Sequence, residues 1–129
     1  MKTFRPLAAA MATLGLTVAV PALAHPTLVS ASPAAAATAS NVRTVTLTFN
    51  ETFLPQMSDI EIVMTGMPGM AGHHPAMKVA GVKVAASADR KSLVATLARP
   101  LPADTYEVNW HAVGTDTHRV SGKVSFTVR

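Results

Sequence analysis

The sequence predicts an all-β domain of about seven strands, built as a β-sandwich or small Greek-key barrel. Three observations carry this. Short runs alternate apolar and polar residues with a period of two. Proline-, serine- and aspartate-bearing turn signals separate the runs. No segment after residue 24 shows a sustained helical period of apolar residues.

The elements follow in order. Residues 26–30 can form a short first strand after Pro26. Ser32-Pro33 reads as a turn, and the alanine-rich stretch Ala34 to Ala39 as at most one helical turn. Val45, Leu47 and Phe49 alternate with Thr44, Thr46 and Thr48, which predicts a half-buried strand. Leu54-Pro55 breaks the chain before Ile60, Ile62 and Met64, which alternate with Asp59, Glu61 and Val63. A strand starting near Val79 carries Val82 and Val84; Ala88-Asp89-Arg90 turns it into Leu93, Ala95 and Leu97. Arg99-Pro100-Leu101-Pro102 separates that strand from Tyr106, Val108 and Trp110, which alternate with Glu107, Asn109 and His111. Val124, Phe126 and Val128 close the chain.

The first 24 residues stand outside this fold. Lys2 and Arg5 form a basic start, Leu7 to Val20 an apolar run, and Ala22-Leu23-Ala24 a small-residue cleavage signal after Pro21. This is the pattern of a secretory signal peptide. The run is shorter than the ~20 residues that span a bilayer. The expected organisation is a signal peptide over 1–24 and one domain over 25–129, exported to the periplasm and not inserted in the membrane after cleavage. Of the 11 basic residues two lie in the signal, so the mature part carries nine against seven acidic ones. That balance, with no basic cluster interleaved by aromatics, speaks against a nucleic-acid partner. The chain has no cysteine, so packing alone must hold it and a metal site cannot use thiolate.

Two constellations carry chemistry. The first is Met64-Thr-Gly-Met67-Pro-Gly-Met70-Ala-Gly-His73-His74-Pro-Ala-Met77, which holds four of the seven methionines. Its glycines and prolines forbid a continuous helix or interior strand, so it is a loop. Thioether sulfur beside imidazole selects soft metals, Cu(I) first. Met64 also ends a strand, and core packing is an equal reading for it. A flexible Met-rich binding surface is the bland reading of the rest. Adjacent side chains on an extended chain point apart, so one of His73 and His74 suffices as a ligand.

The second exists only after cleavage behind Ala24, when the amine and imidazole of His25 can chelate one ion. Asp116-Thr-His118 adds a carboxylate and an imidazole, which in an extended segment face one side. Nitrogen and oxygen donors in a plane suit Cu(II). The competing readings are a turn cap for Asp116, a hydrogen-bonded side chain for His118, and a solvated strand end for Glu51, a further carboxylate candidate. His111 should face away from Trp110, on the surface or behind the ligands. Nothing supports acyl, glycosyl or phosphoryl transfer.

His25-Pro-Thr-Leu-Val-Ser-Ala-Ser-Pro, Leu47-Thr-Phe-Asn-Glu51, Val63-Met-Thr-Gly-Met-Pro-Gly-Met70 and Tyr106 to His118 together resemble the CopC family of periplasmic copper-resistance proteins. The resemblance spans nearly the whole mature chain. It implies an immunoglobulin-like, cupredoxin-resembling sandwich with copper sites at opposite ends. Cu(II) would take His25, Asp116 and His118, with Glu51 nearby; Cu(I) would take Met64, Met67, Met70 and Met77 with His73 or His74. The paired histidines and a small insertion depart from the family's loop. It implies copper binding, sequestration or delivery in the periplasm beside a membrane copper-import protein; a monomer without catalysis, with another periplasmic copper protein as a further partner, is the expectation drawn from it.

Two rivals remain. A lytic polysaccharide monooxygenase-like enzyme also begins with a copper-binding histidine. However, 105 residues leave little room for a substrate surface, the Met loop has no purpose there, and Asp116 would fill a position that oxygen chemistry needs open. An exported adhesion or scaffold module with incidental His and Met would hold no stoichiometric copper.

Overall fold

The computed structural model describes Gly15 and residues 25–66 and 75–129. The signal segment, Met67, Met70, His73 and His74 lie outside the described residues. Among the described residues no helix is long and apolar enough to cross a membrane.

Among the described residues nine strands form two sheets. They are β1 (Leu28–Ser32), β2 (Thr38–Ala39), β3 (Thr44–Phe49), β4 (Asp59–Met64), β5 (Met77–Lys78), β6 (Val82–Ala86), β7 (Ser92–Leu97), β8 (Asp104–Val113) and β9 (Arg119–Val128). One sheet has the order β1-β3-β7-β6 and the other β2-β9-β8-β4-β5. Setting aside the two-residue strands β2 and β5, the seven longer strands run first-second-fifth-fourth in one sheet and third-sixth-seventh in the other. That is the arrangement of an immunoglobulin constant-type sandwich, with two separate sheets rather than a closed barrel.

The alternation read from the sequence points inward as expected. Val45, Leu47 and Phe49 of β3, Leu93, Ala95 and Leu97 of β7, Ile60 and Ile62 of β4, Tyr106, Val108 and Trp110 of β8, and Val124, Phe126 and Val128 of β9 are all buried in one core. Aromatic rings lock the layers. Phe49 meets Trp110 edge-on at 5.0 Å between centroids, and Tyr106 stacks on Phe126 at 5.6 Å. The Tyr106 hydroxyl donates to the Pro102 carbonyl at 2.6 Å, a corner contact known from sandwiches of this class. Burial, with the Asp104 charge behind it, pushes the Tyr106 phenol up to about 12.

Two elements differ from expectation. Ala34 to Ala39 does not wind into a helical turn. Ala36 takes a left-handed φ of 60° in a reverse turn, its N–H donates to the Ser125 carbonyl at 2.7 Å, and β2 then pairs in parallel with β9. An open backbone along β9 outbids a helix too short to nucleate. The last strand is also longer than its apolar residues show, because Gly122 interrupts the pattern. Gly122 pairs with Trp110, and a Cβ there would lie 2.7 Å from Trp110 Cζ2 and 3.0 Å from Cε2. The indole occupies the space that a side chain would fill. Gly122→Ala should therefore cost about 1–3 kcal/mol, several degrees in a melting experiment. An unchanged midpoint would show that the indole is free to move aside.

Candidate metal centre

At one end of the sandwich, β8 and β9 are joined by the turn Gly114 to His118. The Gly114 N–H donates to the His118 carbonyl at 3.0 Å and the Thr117 N–H to the Gly114 carbonyl at 2.9 Å. Asp116 shapes the turn from inside: its Oδ1 accepts the His118 N–H at 3.1 Å. Thr117 sits between them at φ 69°, a left-handed conformation that a β-branched residue adopts only under constraint. The convergence of Asp116 and His118 is thus made by a turn, not by the same-side geometry of an extended segment. The turn-cap reading of Asp116 describes its Oδ1 and leaves Oδ2 free of the backbone.

The other oxygen gathers two imidazoles. Asp116 Oδ2 lies 3.0 Å from His118 Nδ1 and 3.3 Å from His25 Nδ1. The two rings tilt toward each other with centroids 5.1 Å apart. One donor atom from each of His25, Asp116 and His118 falls within 4.8 Å of the other two, close enough to share an ion. The hydrogen bond from the His118 ring, then that from its backbone N–H, hold the Asp116 carboxyl below its usual range, with the nearby histidines adding to the effect. Asp116 therefore stays an anionic oxygen donor as the pH falls into the ordinary carboxylate range.

His25 Nδ1 is buried yet has no hydrogen-bond partner, its approach to Asp116 failing hydrogen-bond geometry. An orphaned nitrogen aimed at a carboxylate and a second imidazole is what a metal would satisfy. The donor set of imidazole nitrogen and carboxylate oxygen fits Cu(II).

Other candidates fall elsewhere. Glu51 is exposed, and its carboxylate is not part of the three-residue group. His111 is half-buried on the outer face of β8, in register with Asp59 and Ser121, and is also outside the group. Met64 packs against the core and lies opposite both Tyr106 and Met77 in the sheet, while Met77 is exposed. The short β4–β5 ladder so brings together the two methionines that bracket the loop, a pairing that the glycines and prolines concealed. Where the chain leaves β4, the Gly66 N–H donates to the buried Asp104 Oδ1 at 2.8 Å. From Tyr106, opposite Met64, to Gly114 at the other end is eight residues of extended chain, about 26 Å at ~3.3 Å per residue. Sequence reasoning also missed Asn50, whose side chain ties down the segment after His25; a polar residue just past a strand gives no signal of such a contact.

The CopC domain family matches residues 28–129. The chain is 45% identical to the copper resistance protein C of Xanthomonas campestris pv. juglandis over the full length of both, and 45% identical to that of Escherichia coli over 87% of each. Among solved structures, it resembles PcoC, a methionine rich copper resistance protein from Escherichia coli. The TM-score is 0.73 and the identity 42%, over 82% of this chain and 100% of that one. CopC from Methylosinus trichosporium OB3b aligns with a TM-score of 0.62 at 25% identity, over 81% of this chain and 93% of that one.

Proposed function

The chain belongs to the CopC family of copper resistance proteins, and from that premise we propose that it is a periplasmic copper carrier with a Cu(II) site at the His25 end and a Cu(I) site at the methionine loop. The observation that carries the reading is the meeting of His25, Asp116 and His118 around one carboxylate oxygen, with His25 Nδ1 left unpartnered. Cleavage behind Ala24 would add the His25 amine and complete a three-nitrogen, one-oxygen set that suits tetragonal Cu(II). The imidazoles would bind as neutral rings, and the Asp116 carboxylate would neutralise part of the metal's charge. Glu51 is not needed for this set.

At the far end, the Met64–Met77 pair brackets Met67, Met70, His73 and His74, whose thioethers and imidazoles suit Cu(I). Met64 serves the core as well, so Met77 and the loop methionines supply the exchangeable donors. The role is binding and delivery without catalysis. Asp116 fills a coordination position that an oxygen-activating copper enzyme keeps open, and the relatives carry the name of resistance proteins. Delivery to a membrane copper importer or to another periplasmic copper protein by a monomer completes the proposal.

The test is to isolate the exported protein, determine its N-terminus by mass spectrometry, and count copper under oxidising and reducing conditions. The expected result is a chain starting at His25 with one Cu(II) and one Cu(I). No stoichiometric copper after dialysis against a weak chelator would overturn the carrier, and copper-dependent peroxide consumption would favour an enzyme. Met67→Leu with Met70→Leu should weaken Cu(I) at least about tenfold, 1.4 kcal/mol, and leave Cu(II) unchanged. Equal losses of both ions would mean one shared site.

A further inference from the structure

His25 precedes the first strand, and the regular ladder does not reach it. β1 starts at Leu28, opposite Phe49, and its register with β3 slips between Leu28 and Ser30. What fixes residues 25–27 is Pro26, fully buried, and Asn50. Asn50 takes both backbone polar groups of Thr27. Its Oδ1 accepts the Thr27 N–H at 2.7 Å and its own N–H donates to the Thr27 carbonyl at 3.0 Å. The side chain thereby extends the β1–β3 pairing by one residue, up to the neighbour of Pro26.

The chain that follows Asn50 is bound to the other half of the site. Phe53 bridges to Gly114, the first residue of the turn that carries Asp116 and His118. The Leu54 N–H donates to the Val113 carbonyl at 2.8 Å. Ser58 Oγ then donates to the Leu54 carbonyl at 2.8 Å and accepts the Val113 N–H at 3.0 Å. One short segment, residues 50–58, so holds the His25 arm at its start and the root of the Asp116–His118 turn further on.

We propose that Asn50 is a positioning residue for the Cu(II) centre: through its side-chain bond to the Thr27 N–H, beside the backbone bond that any residue there would make, it sets where His25 stands relative to Asp116 and His118. The inference rests on the Cu(II) reading of that site. Without Asn50 Oδ1, the Thr27 N–H loses its partner, and residues 25–27 are held only by Pro26 and by the single backbone bond from the Asn50 N–H to the Thr27 carbonyl. His25 must then be ordered at the moment of binding, which costs affinity. A partner that orients a metal ligand without touching the ion is typically worth about 10–100-fold in affinity.

The experiment compares the mature protein (25–129) with Asn50→Ala, Asn50→Asp and, as a control on the exposed face of β4, Glu61→Gln. Cu(II) affinity is read by chelator competition, the coordination by electron paramagnetic resonance, and Thr27 amide exchange by NMR without copper. Asn50→Ala should weaken Cu(II) about 10–100-fold, change the copper hyperfine splitting, speed Thr27 exchange, and leave Cu(I) affinity as it was. Asn50→Asp keeps the acceptor and should restore both the wild-type spectrum and slow exchange; Glu61→Gln should match wild type throughout. The proposal is overturned if Asn50→Ala keeps wild-type Cu(II) affinity and spectrum, or if it weakens both copper ions alike. Faster Thr27 exchange with unchanged Cu(II) binding sinks the positioning role alone, whereas a wild-type protein that binds no Cu(II) sinks the site and this inference with it.

Discussion

A chain that keeps even one residue ahead of His25 should bind Cu(II) at least about a hundredfold more weakly than one that starts at His25, a loss of about 2.8 kcal/mol or more. The reason is chemical. In a peptide bond the nitrogen of residue 25 is an amide, not an amine, and the chelate ring with the imidazole is lost. Two imidazoles and one carboxylate remain, drawn from His25, Asp116 and His118. An added N-terminal residue leaves the core untouched, because Pro26 and the Thr27–Asn50 bonds anchor the arm downstream of it. Isothermal titration of the extended and mature forms, with their melting curves, measures the effect. Equal affinities would mean that the amine is not a ligand.

The second large effect is expected at Asp116. Asp116→Ala removes an oxygen donor, the contact that draws both imidazoles together, and the acceptor of the His118 N–H. Cu(II) affinity should fall by about two to three orders of magnitude, 3–4 kcal/mol, with Cu(I) binding unchanged. Asp116→Asn separates the roles. It keeps an oxygen to accept the His118 N–H and so preserves the turn, but it removes the charge. If Asn restores most of the affinity, orientation dominates; if it is as weak as Ala, the anionic donor does. The two variants should melt within about 1–3 kcal/mol of wild type, since even Asp116→Ala loses only the two exposed hydrogen bonds to His118. A Cu(II) affinity unchanged in Asp116→Ala would exclude the carboxylate from the site.

The sandwich was legible because burial on one sheet face enforces a period of two. A register slip of one residue would turn Val45, Leu47 and Phe49 out of the core. β2 was hidden because its two residues gain order from β9 rather than from their own sequence. The start of β9 was hidden because Gly122 carries its information as absent volume, meaningful only with Trp110 across from it. The site shows the same division. Which residue types can hold copper is a property of side chains and can be read directly. That Asp116 and His118 converge through a left-handed Thr117, and that Asn50 steadies the arm of His25, are properties of a particular backbone path. The pairing of Met64 with Met77 depends on how the intervening loop returns, which glycine and proline leave open.

The length of β8 has a further meaning. The His25–Asp116–His118 group and the Met64–Met77 ladder lie near its opposite ends, with Val108 and Trp110 buried between them. The phenol of Tyr106 and the indole of Trp110 stand on that path, so what keeps the ends apart is the length of β8, about 26 Å at ~3.3 Å per residue. With copper at both ends, the domain would act as an insulator, keeping an oxidised and a reduced ion in one molecule without electron exchange between them. Each valence would be loaded and released on its own schedule, set by whatever docks at that end.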